Sequence, residues 1–245
     1  MRIKSILTAG LALIAITLAG SPPTYADDFL WLGLNPAGGW TDQANWLNTT
    51  TFHYPDGYPH DARDNADFAT PGRVEIKPDP AAGRCFVIVC NLKIRAGTSV
   101  VVLGCVTIGC KLTIEPGGSL IIQGGLVVLT ADKEHEIGGL IILTNSTSRL
   151  RIKGNATFDP FTQGGGDPVY GYVKGQHNNA TIEICEGKTL TNNITICGQM
   201  TIQSATCGTT GGSEPAGTQR RSSAQPSGPQ QQGAIRHLPY DTYER

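Results

Sequence analysis

The stretches "CFVIVCNLKI" at 85–94 and "CVTIGCKLTI" at 105–114 decide the fold of this chain. Each holds two cysteines five residues apart around a short apolar run, and twenty residues separate the two stretches. The alignment continues through the glycines and apolar residues that follow, which are Gly97, Val100, Val102 and Gly104 in the first unit and Gly117, Leu120, Ile122 and Gly124 in the second. Such a fixed interval indicates a repeat architecture.

Each unit carries three short stretches in which apolar residues alternate, at 106–108, 112–114 and 120–122 in the second unit. Alternation predicts strands with one buried face, and the glycines between them suit corners that need positive φ. Three strands and three corners in about twenty residues predict one coil of a parallel β-helix, with right-handed winding. The fold class is therefore all-β, a solenoid whose coils stack about 4.8 Å apart.

A strict interval also predicts which side chains share a column along the solenoid. Val100, Leu120 and Leu140 are expected in one inward column, and Val102, Ile122 and Ile142 in another. The third unit reads Asp132-Lys133-Glu134-His135-Glu136 where apolar residues would recur, which predicts a charged corner loop. Metal binding by residues 134–136 is the alternative, and it is less favoured because adjacent side chains seldom converge on one ion.

The cysteine interval matches the coil interval. Within an extended stretch, Cys85 and Cys90 lie about 16 Å apart, too far for a disulfide, whereas equivalent positions one coil apart lie within bridging distance. The sequence therefore favours the bridges Cys85–Cys105 and Cys90–Cys110. Stacked free thiols are the alternative, since cysteine also suits solenoid corners. Seven cysteines leave at least one unpaired within a monomer.

The two ends of the chain differ in composition from the repeat region. Residues 1–26 combine two early cations, an apolar stretch and the small residues before Asp27, which is typical of a secretory signal peptide; an uncleaved membrane anchor is the alternative. We expect a signal peptide at 1–26, an N-terminal cap at 27–79, a β-helix at 80–207 and a disordered Gly/Pro/Ser/Gln-rich tail at 208–245. No later stretch is apolar enough to predict a membrane span.

The segment after the signal peptide carries a recognisable pattern. "GGWTDQANW" at 38–46 is followed by "DNADF" at 64–68 and the alternating "VEI" at 74–76. This start, followed by L-x-I…G…L-x-I coils, resembles that of secreted bacterial surface proteins of the autotransporter-like, repeat-rich β-helical type. The resemblance covers roughly residues 31–207. It implies a parallel β-helix and export to the cell surface, but it does not imply a particular activity.

The aromatic residues have two interpretations. A solenoid must cover the open edge of its first coil, and tryptophans could form that aromatic cap. Tryptophan and tyrosine rings also stack on sugars, so the candidate carbohydrate-binding residues are Trp31, Trp40, Trp46, Tyr170 and Tyr172. Calcium is the one possible cofactor, through the carboxylates of Asp56, Asp61, Asp64 and Asp67. A solvated, turn-forming acidic loop is the favoured interpretation of these aspartates.

Composition and motifs narrow the function classes. Without its first 26 residues the chain has 17 basic and 20 acidic residues, a net charge of 17 − 20 = −3, which does not suggest nucleic-acid binding. We find no catalytic motif and name no catalytic residue. The sequence favours a non-catalytic, secreted or surface-exposed structural or adhesion module whose partners are glycans or other surface or matrix proteins. A carbohydrate-binding module is the alternative, and a polysaccharide lyase or hydrolase is less favoured.

Overall fold

The structure is a computed structural model that describes residues 26–35, 39–52, 57–78 and 87–207. All of these residues fall within one compact unit. Apart from a single 3-10 turn at Gln43–Asn45, the regular elements of this part are strands. The strands are β1 Asp28–Trp31, β2 Trp46–Asn48, β3 Asn65–Phe68, β4 Gly72–Ile76, β5 Val87–Ile94, β6 Thr98–Val102, β7 Cys105–Ile114, β8 Ser119–Ile122, β9 Leu126–Leu129, β10 Lys133–Ile137, β11 Leu140–Leu143, β12 Arg149–Ile152, β13 Ala156–Asp159, β14 Tyr172–Cys185, β15 Leu190–Asn192 and β16 Thr195–Ala205.

The strands form a parallel β-solenoid of about six turns, so the predicted fold class is confirmed. Long strands such as β5 and β7 bend at a corner and contribute to two sides of the coil. Side one is built from the first parts of β5 and β7, then β9, β12 and the last parts of β14 and β16. Side two contains β3, the second parts of β5 and β7, β10, β13 and β15. Side three contains β4, β6, β8, β11 and the first parts of β14 and β16.

The predicted columns hold for two coils and then shift by one residue. Val100 pairs with Leu120, and Val102 with Ile122, as the twenty-residue interval predicts. In the next coil Ile141 and Leu143 occupy these columns, while Leu140 and Ile142 point outward. The placement of Leu140 and Ile142 in the inward columns was therefore wrong.

The shift has its origin at one corner. Two residues separate β6 from β7, but three, Gln123 to Gly125, separate β8 from β9. Cys105 consequently pairs with Leu126, an interval of 21 residues. Gly124 adopts φ +77°, and a Cβ on Gly125 would lie 2.5 Å from the carbonyl oxygen of Gly104. The extra residue can therefore be accommodated only where glycines allow a tight corner.

The charged segment at 132–136 is not a corner loop, so that prediction was wrong. Residues 133–137 form β10, which pairs with β7 and with β13. His135 is fully buried and lies in the inward column between Leu112 and Phe158. Lys133 and Glu134 are exposed, and Glu136 is half-buried on the outer face. The strand keeps its alternation, with a histidine where the other coils place an apolar side chain.

An aromatic cluster covers the N-terminal end of the solenoid, as expected for the cap. Trp46 is at its centre, with ring centroids 5.0 Å from Trp31, 4.9 Å from Trp40 and 5.3 Å from Phe68. All four side chains are at most 3% exposed. The first coil itself, β3 and β4, lies within the segment 27–79 that the sequence assigned to the cap, because these strands pair in parallel with β5 and β6.

Disulfide bonds join neighbouring coils. Cys90 is bonded to Cys110, the pairing that the cysteine interval predicts, with Cα atoms 4.6 Å apart. A second bridge, Cys185–Cys207, ties the end of β14 to the residues after β16. Cys197, on β16, is a free thiol. Cys85 lies outside the described residues, so the Cys85–Cys105 bridge stays a prediction.

Candidate functional site

The outer face of side two is polar and internally paired. An amide ladder runs across three coils: Asn65 Nδ2 donates to Asp28 Oδ1, and Asn91 Nδ2 donates to Asn65 Oδ1, both at 2.6 Å. Ion pairs continue across the coils between Arg95 and Asp67, Lys93 and Glu115, and Lys111 and Glu136, with N–O distances of 2.6, 3.0 and 2.9 Å. These groups are the neighbours expected of stacked parallel strands, and they satisfy one another rather than pointing at a ligand.

Asp67 and Arg95 form the most closely coupled of these pairs. Arg95 Nε and Nη2 both donate to the Asp67 carboxylate, and this side-chain hydrogen bonding raises the pKa of Arg95. The pair lies in a groove of about 440 Å³ that the amide ladder also lines. The groove is open to solvent and its polar groups are already bonded, so its geometry favours a structural role.

The outer face of side three is apolar, in contrast. Because of the one-residue shift, Leu140 and Ile142 face outward beside Ile121 of the preceding coil. Leu140 also pairs with Tyr172 of the following coil, and these two side chains are 39% and 47% exposed. Parallel strands hold neighbouring side chains about 4.8 Å apart, so the leucine and the tyrosine form a continuous apolar surface.

A glycine-rich loop extends this surface. Residues 161–171 fold back on themselves through a backbone pairing between Phe161 and Val169. Phe161 is buried and anchors the loop, while Val169 and Tyr170 are 43% and 57% exposed. We define the tyrosine patch as Leu140, Val169, Tyr170 and Tyr172. An exposed apolar patch that contains aromatic side chains marks an interaction site more often than an isolated exposed residue does.

The three tryptophans predicted as sugar-binding residues are not part of this patch. They are 0–3% exposed, and the indole Nε1 groups of Trp40 and Trp46 donate to the carbonyl oxygens of Pro59 and Trp40. A sugar ring cannot stack on a ring face that protein already covers. Of the five aromatic candidates, the structure therefore leaves Tyr170 and Tyr172 accessible, and Trp31, Trp40 and Trp46 belong to the cap.

The aspartates predicted as calcium ligands bond to different partners. The Asp64 carboxylate accepts the backbone N–H groups of His60 and Asp61, both at 3.0 Å, which closes a turn. Asp61 accepts from Arg63, whose side-chain hydrogen bond lowers the pKa of Asp61. Asp67 pairs with Arg95 on the outer face. Asp56 lies outside the described residues, and in the described part no three acidic, histidine or cysteine groups converge as metal ligands. Calcium binding stays a prediction.

His135 is the residue that the sequence placed incorrectly. Its Nδ1 accepts the backbone N–H of Leu112 at 3.0 Å, so the ring proton resides on Nε2. Nε2 is buried without a hydrogen-bond partner, and the ring meets Phe158 edge-on. Burial, together with the charge of Lys111, lowers the pKa of His135 to about 4. Its position two residues before Ile137 in an alternating pattern was the available signal for a buried residue.

Comparisons with protein-family models, with curated proteins and with solved structures find no match to this chain. The described part is thus a capped, disulfide-linked parallel β-solenoid, and its resemblance to autotransporter-like surface proteins stays a prediction from the sequence. Two disulfide bonds are more typical of extracellular proteins. Among the described residues no helix has the length and apolar character needed to cross a membrane.

Proposed function

We propose that this protein is an exported, non-catalytic surface or adhesion module in which the solenoid acts as a rigid support for the tyrosine patch. The observation that carries the proposal is the contrast between two outer faces of one solenoid. Side two carries paired polar groups, whereas side three carries exposed leucine, valine and tyrosine side chains. An apolar face costs solubility, so its presence beside a fully paired polar face supports a binding role.

The scaffold suits such a role mechanically. Every coil pairs with the next along three sides, and ion pairs and a disulfide also cross between coils. Side chains on neighbouring strands are therefore held at fixed spacing, and binding would require little ordering of the patch. Limiting that entropic cost favours affinity.

Export is the first part of the proposal that an experiment can test. We expect the mature protein to begin at Asp27, because small residues precede it after the apolar stretch. N-terminal sequencing of protein recovered from the extracellular or surface fraction of a bacterial host measures this directly. Recovery of an uncleaved chain with reduced Cys90 and Cys110 in the cytosol would contradict it.

Adhesion through the tyrosine patch gives the second test. The variant Leu140→Ser/Tyr170→Ser/Tyr172→Ser should weaken attachment of the protein to its target surface at least about tenfold, since losing about 1.4 kcal/mol of contact energy has that effect. A matched control is Leu34→Ser, which removes a 64% exposed leucine elsewhere on the described surface. Equal attachment by both variants would exclude the patch.

Carbohydrate binding is the second candidate function, and the exposure of Tyr170 and Tyr172 favours it. Aromatic rings can stack on the apolar face of a sugar, and Lys174 is exposed two residues after Tyr172 on the same outer face. A glycan array probed with the protein and with Tyr170→Ala/Tyr172→Ala tests it. Binding that is lost in this variant supports a glycan partner, and attachment to protein-coated surfaces alone assigns a protein partner.

A further inference from the structure

The last coil of the solenoid, β15 and β16, leaves its far edge open within the described residues. β16 pairs with β14 and β15 pairs with β13, and no other described strand pairs with either of them. Parallel pairing directs alternate backbone groups of β16 toward β14, so the remaining N–H and C=O groups point away from the coil. An unpaired strand edge of this kind is a template for pairing with another chain.

The apolar columns also end exposed at this coil. Ile182 is fully buried, but Ile202, the next member of its column, is 51% exposed. Ile196 continues the column of Val173 and is only partly buried, although Val173 is fully buried. The end of the solenoid thus presents apolar side chains rimmed by unpaired backbone, and covering it would bury both.

The composition of the edge argues for a second copy as the occupant. β16 reads TICGQMTIQSA and β15 reads LTN, and neither contains a charged residue or a proline. Exposed edges usually carry such residues to prevent pairing. An uncharged strand can lie against its own copy without like-charge repulsion, as a two-fold interface requires.

The opposite end of the molecule excludes an endless stack. The aromatic cap covers the first coil, where Phe68 and Ile76 are fully buried. A contact between one molecule's last coil and another's first coil would have to displace the buried tryptophans. We propose that two copies of this protein associate through the edge of β15 and β16, end to end, giving a closed dimer with the caps at its outer ends.

Sedimentation velocity of the purified full chain over a wide range of concentration tests the proposal. A dimer is expected, and Ile202→Lys/Ser204→Lys should weaken it at least tenfold, because both side chains continue inward columns and would bring charge to the interface from both copies. The matched control Gln123→Lys/Ser146→Lys adds the same charge at exposed positions on other coils and should leave the dimer unchanged.

The remaining outcomes overturn the proposal. A monomer at all concentrations does so, as does a dimer that persists in Ile202→Lys/Ser204→Lys. A dimer that disappears in Cys197→Ser would be a disulfide cross-link through the free thiol, not an edge contact. Hydrogen exchange separates the last alternative: a monomer with protected amides at 195–205 would show that another segment of the same chain covers the edge.

Discussion

At the scale of single residues, His135 combines burial with incomplete hydrogen bonding. Its Nδ1 is bonded to Leu112, while its buried Nε2 has no partner. Protonation would add a charge in a column otherwise lined by leucine and phenylalanine, and Lys111 opposes it further. The pKa of about 4 expresses both effects, with burial the larger.

His135 should make the fold sensitive to acid. The folded state keeps the ring neutral, while the unfolded state takes up a proton below its usual pKa of 6.5. The free energy of unfolding should therefore fall as the pH drops from about 6.5 to about 4, by up to about 3 kcal/mol. His135→Leu should remove this part of the pH dependence, as measured by urea unfolding at a series of pH values.

The matched control for this variant is His177→Gln, at an exposed histidine on β14. It should retain the wild-type slope between pH 6.5 and 4. Carboxylates also titrate in the lower part of this range, so the informative quantity is the difference between the two variants. Parallel curves for both would mean that His135 is not the acid-sensitive group.

At the scale of elements, the corner between β8 and β9 fixes the register of the later coils. The extra residue at 123–125 shifts each following column by one position, which moves Leu140 outward and Ile141 inward. Since side chains alternate between the two faces of a strand, one residue is enough to exchange the buried and exposed sets. The tyrosine patch exists in its present form because of this corner.

Gly125→Ala tests how tightly the corner is packed. The added Cβ would lie 2.5 Å from the Gly104 oxygen and 2.6 Å from the Val102 oxygen, both backbone atoms that cannot move without disturbing β6. We expect a loss of roughly 1–3 kcal/mol in the free energy of unfolding. Gly109→Ala is the control, because its nearest neighbour would be at 3.4 Å. Equal losses in both variants would contradict a specific steric origin at Gly125.

At the scale of the whole molecule, the two ends of the solenoid are unlike. The first coil is covered by the aromatic cap, whereas the last coil exposes Ile202 and a strand edge. Stability in a solenoid is shared between neighbouring coils, so the cap protects the coil that has only one neighbour. The proposed dimer would supply the same protection at the other end.

Trp46→Ala should show how much the cap contributes. The side chain is fully buried at the centre of the aromatic cluster and its Nε1 donates to the Trp40 oxygen. Truncation of a buried tryptophan typically costs about 3–5 kcal/mol, which is a large share of the stability of most domains. Chemical denaturation followed by circular dichroism measures the loss. Leu34→Ala, at an exposed site, should change stability little, and a Trp46→Ala effect as small as this would show that the cap is dispensable.

The sequence by itself determined the solenoid, its coil length and one inter-coil disulfide. The interval between "CFVIVC" and "CVTIGC" and the alternation of Val, Leu and Ile were sufficient, because stacking identical units repeats the same local pattern. It also identified the aromatic segment that forms the cap. These are properties that each coil expresses locally, whatever the neighbouring coils do.

Only the tertiary structure decided the register after residue 123, the burial of His135 and the difference between the two tyrosines and the three tryptophans. "LVVL" at 126–129 and "LIIL" at 140–143 are apolar at every position, so the pattern cannot indicate which residues face inward. A charged stretch reads as solvated until its strand is paired on both sides. Exposure of an aromatic ring depends on what the rest of the chain places over it, and this packing is not encoded in the spacing of the residues.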